Sequence, residues 1–225
     1  MPHPMRRRVP GATPSCEHTT TTPTIRAMPE SESSRDRSGS TAISARPVSE
    51  PIAPFYADWA GYSWRTVAAL RAMSEDDLAL RVAGSDHWPI WAIAGHMAGM
   101  RVYWLCHVLK EPGAETTPFT DPSGFGWEDD LATVRSGTEV ADAYEATWRV
   151  VAGCLERWTP GMLGETFRRK GTTGWQAHSR QSILLRLINH EAYHLGEISL
   201  TLGANGRPPI DLWPPADWAE DAPPT

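Results

Sequence analysis

The stretch HWPIWAIAGHMAGMRVYW, residues 87–104, is apolar around nearly its whole circumference. Pro89 suits the first turn of a helix that runs to about Leu109, and only Arg101 and then Lys110 interrupt its apolar character. Most of such a helix must be buried. His96 sits midway along it, flanked by Gly95, Ala98 and Gly99, whose small size lets another helix come close.

Working outward, helical spacing recurs on both sides. Upstream, Phe55, Trp59, Tyr62, Ala69, Leu70 and Met73 predict an amphipathic first helix of about 20 residues from Pro54. Ser74 and Asp77 resemble a capping pair that opens a short turn through Leu80, and Gly84 to His87 reads as a loop. Downstream, residues 111–137 hold Pro112, Pro118, Pro122 and four glycines, a connection of roughly 27 residues where 2–8 is usual between bundle neighbours. A long crossover accounts for it. Thr138 is the expected cap of a third helix with the stripe Val140, Tyr144, Trp148, Val151, Leu155 and Trp158, ending before Pro160. TFRRKGTTGWQAHSR, residues 166–180, reads as an irregular segment or a weak hairpin. Ser179 is the expected cap of a fourth helix, Arg180 to Leu202, closed by the turn from Gly203 to Gly206. Four helices without a convincing strand alternation or a repeat predict an all-α fold, a four-helix bundle with a long crossover between helices two and three.

Ten of the eleven tryptophans lie between Trp59 and Trp213, so the core belongs to residues 51–206. Residues 1–50, rich in Ser, Thr, Pro and Arg, cannot bury enough surface to offset the entropy of ordering and are expected to be a disordered tail, with Met28 an alternative start. Residues 207–225 form a Pro-rich tail whose Trp213 and Trp218 are expected to fold back on the bundle.

Residues 51–225 carry 14 bases against 22 acids, and an acidic domain is repelled by phosphate backbones, which argues against a nucleic-acid partner. Arg6, Arg7 and Arg8 read as a solvated terminus. No apolar run reaches the 18 or so residues of a membrane span, and VPGATPSCEHTTTTPT lacks the apolar stretch of a secretion signal. Cys16, Cys106 and Cys154 form neither an even disulfide framework nor a CxxC knuckle, so a reducing cytoplasm is expected. Trp and Leu left exposed on the helices would suit a homodimer.

The chemistry-bearing motif is HEAYH. His190 and His194, four apart on a helix, project from one face about a turn apart, the spacing that lets two imidazoles reach one ion. They fall beside Ile183 and Leu187 on the inward half of helix four, where unpartnered ring nitrogens are costly. Either hydrogen-bond acceptors or a metal must satisfy them. His96 is the best third ligand. His107 lies eleven residues further, roughly 16 Å along the helix, too far to share the ion, and reads as a hydrogen-bonded histidine at the bundle end. His87 and His178 sit in expected loops at the rim, and His3 and His18 in the tail.

The pairing of HWPIWAIAGHMAGMRVYW with NHEAYHLGEISLTLGANG, residues 189–206, resembles the DinB-like family of metal-binding bundles over about residues 52–206. The resemblance implies a four-helix bundle with one long crossover and a site in which His96, His190 and His194 hold Zn²⁺, Ni²⁺ or a similar divalent ion. Many relatives carry Gln where this chain has Glu197. Several use mycothiol, bacillithiol or glutathione, so the resemblance also implies a transferase or isomerase that takes a low-molecular-weight thiol and a small electrophile.

Three histidines without a carboxylate leave an ion its full charge and an open position, the pattern of a catalytic site. Such an ion lowers the pKa of bound water towards about 7 and deprotonates a coordinated thiol. Arg186, one turn before His190, is a candidate to pair with a substrate carboxylate, against the plain reading of a surface arginine. Glu191, near the centre of the apolar arc, is a candidate to orient a ligating histidine or to act as general base. Glu197 is a candidate fourth ligand or a solvated acid. Tyr103, Tyr193 and Trp91 either line the pocket or simply fill the core. Two rival readings stand beside this one. HEAYH satisfies HExxH, but Gly196 is one place too early for the longer peptidase motif and little chain follows His194. A stress-response protein that carries the ion without catalysis is the other.

Overall fold

The computed structural model describes residues 50–82, 86–124 and 126–213. The expected N-terminal tail over residues 1–49, with Met28, and Gly84 and Trp218 lie outside them.

A 3₁₀ turn at Ala53–Tyr56 leads into α1, Ala57–Ala72. Ser74 caps the short α2, Glu75–Leu78, by accepting from the Asp77 amide. α3, Ile90–Val102, starts directly after Pro89, and every one of its residues except His96 is buried. It continues as a π-helical turn, Tyr103–Val108. α4, Gly137–Arg157, opens on a capping box in which Ser136 accepts from the Glu139 amide and the Glu139 carboxylate accepts from the Ser136 amide. The cap is therefore Ser136 and not Thr138, because only Ser136 stands three residues before a glutamate able to reciprocate. α5, Arg180–Ala204, is capped by Ser179.

Between α4 and α5 stand two antiparallel strands, β1, Thr166–Gly171, and β2, Gly174–Ser179, paired from Thr166 opposite Ser179 to Gly171 opposite Gly174. The fold is thus mostly helical with one hairpin, and the all-α expectation is corrected to that extent. Of the two readings of residues 166–180, an irregular segment or a weak hairpin, the structure has the hairpin, and one inward position of β1 is Arg169. Its guanidinium lies 4.9 Å from the Trp104 ring centroid, so an arginine does there what an apolar residue usually does.

α1 packs on α4, and α3 packs on both α4 and α5. One buried ion pair reaches all four. Arg101 of α3, with no exposed surface, donates to the Glu191 carboxylate of α5 through Nε at 2.7 Å and a terminal nitrogen at 3.0 Å. It also donates to the Tyr144 carbonyl of α4 at 3.0 Å and to Ser63 Oγ of α1 at 3.3 Å. Trp59 of α1 donates its indole N–H to Glu191 at 2.9 Å. Burial alone would lower the Arg101 pKa, but Glu191 and Tyr144 together outweigh it and raise it.

The crossover, residues 109–136, carries a 3₁₀ turn at Ala114–Thr116. Its start is tied down by Glu111, which accepts from Trp158 Nε1 at 2.8 Å, Arg157 at 3.0 Å and Arg180 at 3.3 Å. It then returns over α3 so closely that a Cβ on Gly95 would stand 2.9 Å from the Trp127 ring. At the far end of the chain Trp213 meets Tyr62 edge-on with centroids 6.0 Å apart, though most of the indole stays exposed.

Arg101→Met, close in volume, strands the Glu191 carboxylate in the core and is expected to cost about 3–5 kcal/mol of stability in urea unfolding. An unchanged midpoint and slope would show that the pair does not hold the helices together.

Candidate metal centre

His96 is delivered by the middle of α3, and His190 and His194 by successive turns of α5. One ligand atom from each lies within 4.8 Å of the other two, and His96 Nε2 stands 3.0 Å from His190 Nε2. The three residues singled out as ligands therefore meet.

Two carboxylates set the rings. Glu128 Oε1 accepts from His96 Nδ1 at 2.6 Å, and Glu197 Oε2 accepts from His194 Nδ1 at 2.9 Å. With each Nδ1 proton held in this way, both imidazoles keep an Nε2 lone pair free, His96 turning its own towards His190 and His194 packing its ring on His190 with centroids 4.5 Å apart. His190 can donate one Nε2 proton to only one of them, and its own Nδ1 is buried without a partner. The protein's hydrogen bonds alone cannot satisfy this convergence of nitrogens. A divalent cation can, since it accepts all three lone pairs and needs nitrogens about 2.0–2.1 Å from it. A buried Glu128 whose Oε2 has no partner also calls for nearby positive charge. The residues fit the ion.

Protonation does not compete with that role at neutral pH. Burial, followed by the charges of His194, His96 and Arg186, lowers the His190 pKa to about 3. Burial lowers His194 too, against the opposing pull of Glu197. Both stay neutral and keep their lone pairs.

Glu191 points elsewhere. The sequence placed it next to His190 as an orienting group or base, but its two oxygens are engaged by Arg101 and Trp59 in the core. The orienting carboxylates are instead Glu128 and Glu197, and Glu197 acts on the Nδ1 side of His194. Glu128 was not foreseen, because it arrives from the crossover with no spacing relation to any histidine. Its signal was the run of small residues around His96: Gly95 admits Trp127, and a Cβ on Gly126, at φ +133°, would come within 2.9 Å of His96 Cα. What comes close to this side of α3 is the crossover, not another helix.

Arg186 is exposed beside the site. Together with Leu185, Asn189, His190 and Tyr193 it lines an open cavity of about 460 Å³. Tyr193 is 71% exposed, whereas Trp91 is core. Tyr103 is buried, stacks on His107 with centroids 5.3 Å apart and accepts from Arg169. His107 is thus held away from the three ligands. Trp88 covers His96 at 5.1 Å between centroids, and His178 lies on β2 against Trp104.

The family model of the DinB superfamily matches residues 64–198, a span that contains all three histidines. The chain belongs to the DinB superfamily. Three solved chains are similar, among them the crystal structure of a DinB-like protein from Bacillus cereus ATCC 10987. That structure has a TM-score of 0.50 and 19% identity, covering 73% of this chain and 99% of that one. It shares the fold. No curated protein matches.

His190→Ala is expected to abolish retention of a divalent metal measured by mass spectrometry on the purified protein, and His107→Ala to leave it unchanged; equal metal content in the two variants would refute the ligand assignment. Glu128→Gln keeps the shape but weakens the hold on the His96 proton, and is expected to lower metal affinity roughly 10–100-fold by competition with a chelating dye. Wild-type affinity in this variant would remove Glu128 from the centre.

Proposed function

We propose that this chain is a cytoplasmic, divalent-metal-dependent transferase or isomerase that brings a low-molecular-weight thiol of the mycothiol, bacillithiol or glutathione type to a small electrophile. The four long helices in this reading are a four-helix bundle with one long crossover. Zn²⁺ and Ni²⁺ are the proposed metals.

The observation that supports it best is the open cavity against His190, one residue of a three-nitrogen centre whose other two rings are fixed by carboxylates. A closed structural site would have a fourth protein ligand, and the described group contains three. When bound there, a divalent ion supplies a Lewis acid with a vacant position, able to lower the pKa of a thiol or a water. The chain's own residues do the rest. Glu128 and Glu197 keep His96 and His194 in the tautomer that faces the centre. Trp88 packs against one side of the His96 ring. Arg186, which stacks on Trp104 and has no ion pair among the described residues, offers its guanidinium at the cavity wall for an acidic substrate group.

The peptidase reading of HEAYH is disfavoured by the same geometry. Its base would have to be Glu191, and that carboxylate already accepts three hydrogen bonds in the core. Among the described residues the sheet is a single two-stranded hairpin, β1 and β2.

Metal-loaded protein is expected to consume free thiol when monobromobimane-type electrophiles are added with one of the three thiols, above the uncatalysed rate, and to lose that activity with a chelator. No turnover with any thiol would favour a protein that carries the ion without catalysis, and peptide cleavage without thiol would restore the peptidase.

A further inference from the structure

The domain is acidic, and its arginines are mostly neutralised. Arg71, Arg101, Arg157, Arg180 and Arg207, for instance, each meet a carboxylate. Arg169 and Arg186 are among those that do not: neither has an ion pair among the described residues, and the two converge on one ring. The Arg169 guanidinium lies 4.9 Å and that of Arg186 4.7 Å from the centroid of Trp104. His178 meets the same indole edge-on at 5.0 Å, and its Nε2 is buried without a hydrogen-bond partner. Burial, followed by the charges of Arg186 and Arg169, lowers the His178 pKa, so both cations are felt at this ring.

Placement ties the cluster to the metal centre. Arg186 precedes His190 by one turn of α5 and shares its cavity. Arg169 and His178 come from β1 and β2, and the π-helical turn after α3 carries Trp104 to the hairpin. We infer that Arg186 and Arg169, with His178, form an anion subsite that holds a carboxylate of the substrate or cosubstrate about one helical turn from His190. The inference rests on the proposed enzyme reading only for what the anion belongs to. The cations and the orphaned nitrogen stand without it.

The donor inventory favours a carboxylate over a phosphate. Arg169 has committed Nε to Gln176 Oε1 at 3.1 Å and one terminal nitrogen to Tyr103, which leaves a single terminal nitrogen free. Arg186 keeps its whole planar fork, whose parallel N–H groups match the two oxygens of a carboxylate. Pairing two unneutralised guanidiniums beside an indole stack with one such group removes their mutual repulsion and satisfies His178 when it turns its N–H inward.

The test uses full-length protein and succinate as the probe in chloride-free buffer, following the Trp104 indole and His178 imidazole signals by NMR. Saturable shifts are expected with succinate and none with the uncharged succinamide. Arg186→Gln, an exposed position that should not disturb folding, is expected to weaken binding at least tenfold, and Arg169→Gln to do the same, with metal content unchanged in both. Equal succinate affinity in Arg186→Gln, binding of succinamide, or preference for inorganic phosphate over succinate would each overturn the assignment. Succinate binding that survives in His190→Ala protein stripped of metal would support the subsite even if the metal-dependent reading failed, and metal binding without any succinate response would sink the subsite alone.

Discussion

A charged pair with no access to water is costly unless every donor and acceptor is matched, and the Arg101–Glu191 pair meets that condition by drawing on all four long helices. α3 gives the cation and α5 the anion. α4 lends a backbone carbonyl and the Tyr144 ring, 3.9 Å below the guanidinium, and α1 adds Trp59 and Ser63. Apolar packing would tolerate sliding of one helix along another by a small step. This constellation would not, because a shift of an ångström or two strands a charge. The relative position of α3 and α5 is thereby fixed, and these are the two helices that carry His96 and the pair His190 and His194.

Neighbouring residues on α5 serve two environments. Successive positions on a helix are about 100° apart, so Glu191 can face the dry interior while His190 faces the open cavity. The pocket between α1 and α5, lined in part by Trp59, Glu191 and Leu195, stays on the structural side of that division. HEAYH thus reads as one motif and works as two.

Much of the centre was legible because helices impose arithmetic on sequence. His190 and His194 share a face at a spacing of four, and His96 was marked by its place within an apolar helix. The failures also have physical causes. Arg101 was counted as an interruption of that helix, since a single sequence does not show that its partner is Glu191, 90 residues away. Glu191 was legible as a carboxylate within the apolar arc, but its partners, Arg101 and Trp59, come from other helices and not from the neighbouring histidines. Glu128 sits in a connection without periodicity, so nothing local tied it to His96. The hairpin was one of two readings left open, because arginine stands where a strand's inward residue is normally apolar, and the start of α4 was obscured by a threonine two places after the serine that does the capping.

The contact between Glu128 and His96 has one more consequence. The carboxylate belongs to a connection of nearly thirty residues, whose close approach to α3 is possible because Gly95 and Gly126 leave room for it. Seating the connection fixes the His96 ring, and an ion held by that ring would favour the seated connection over any other arrangement. Linkage of this kind runs equally in both directions. Occupancy of the centre and order in the chain that crosses over it would then be two readings of a single equilibrium.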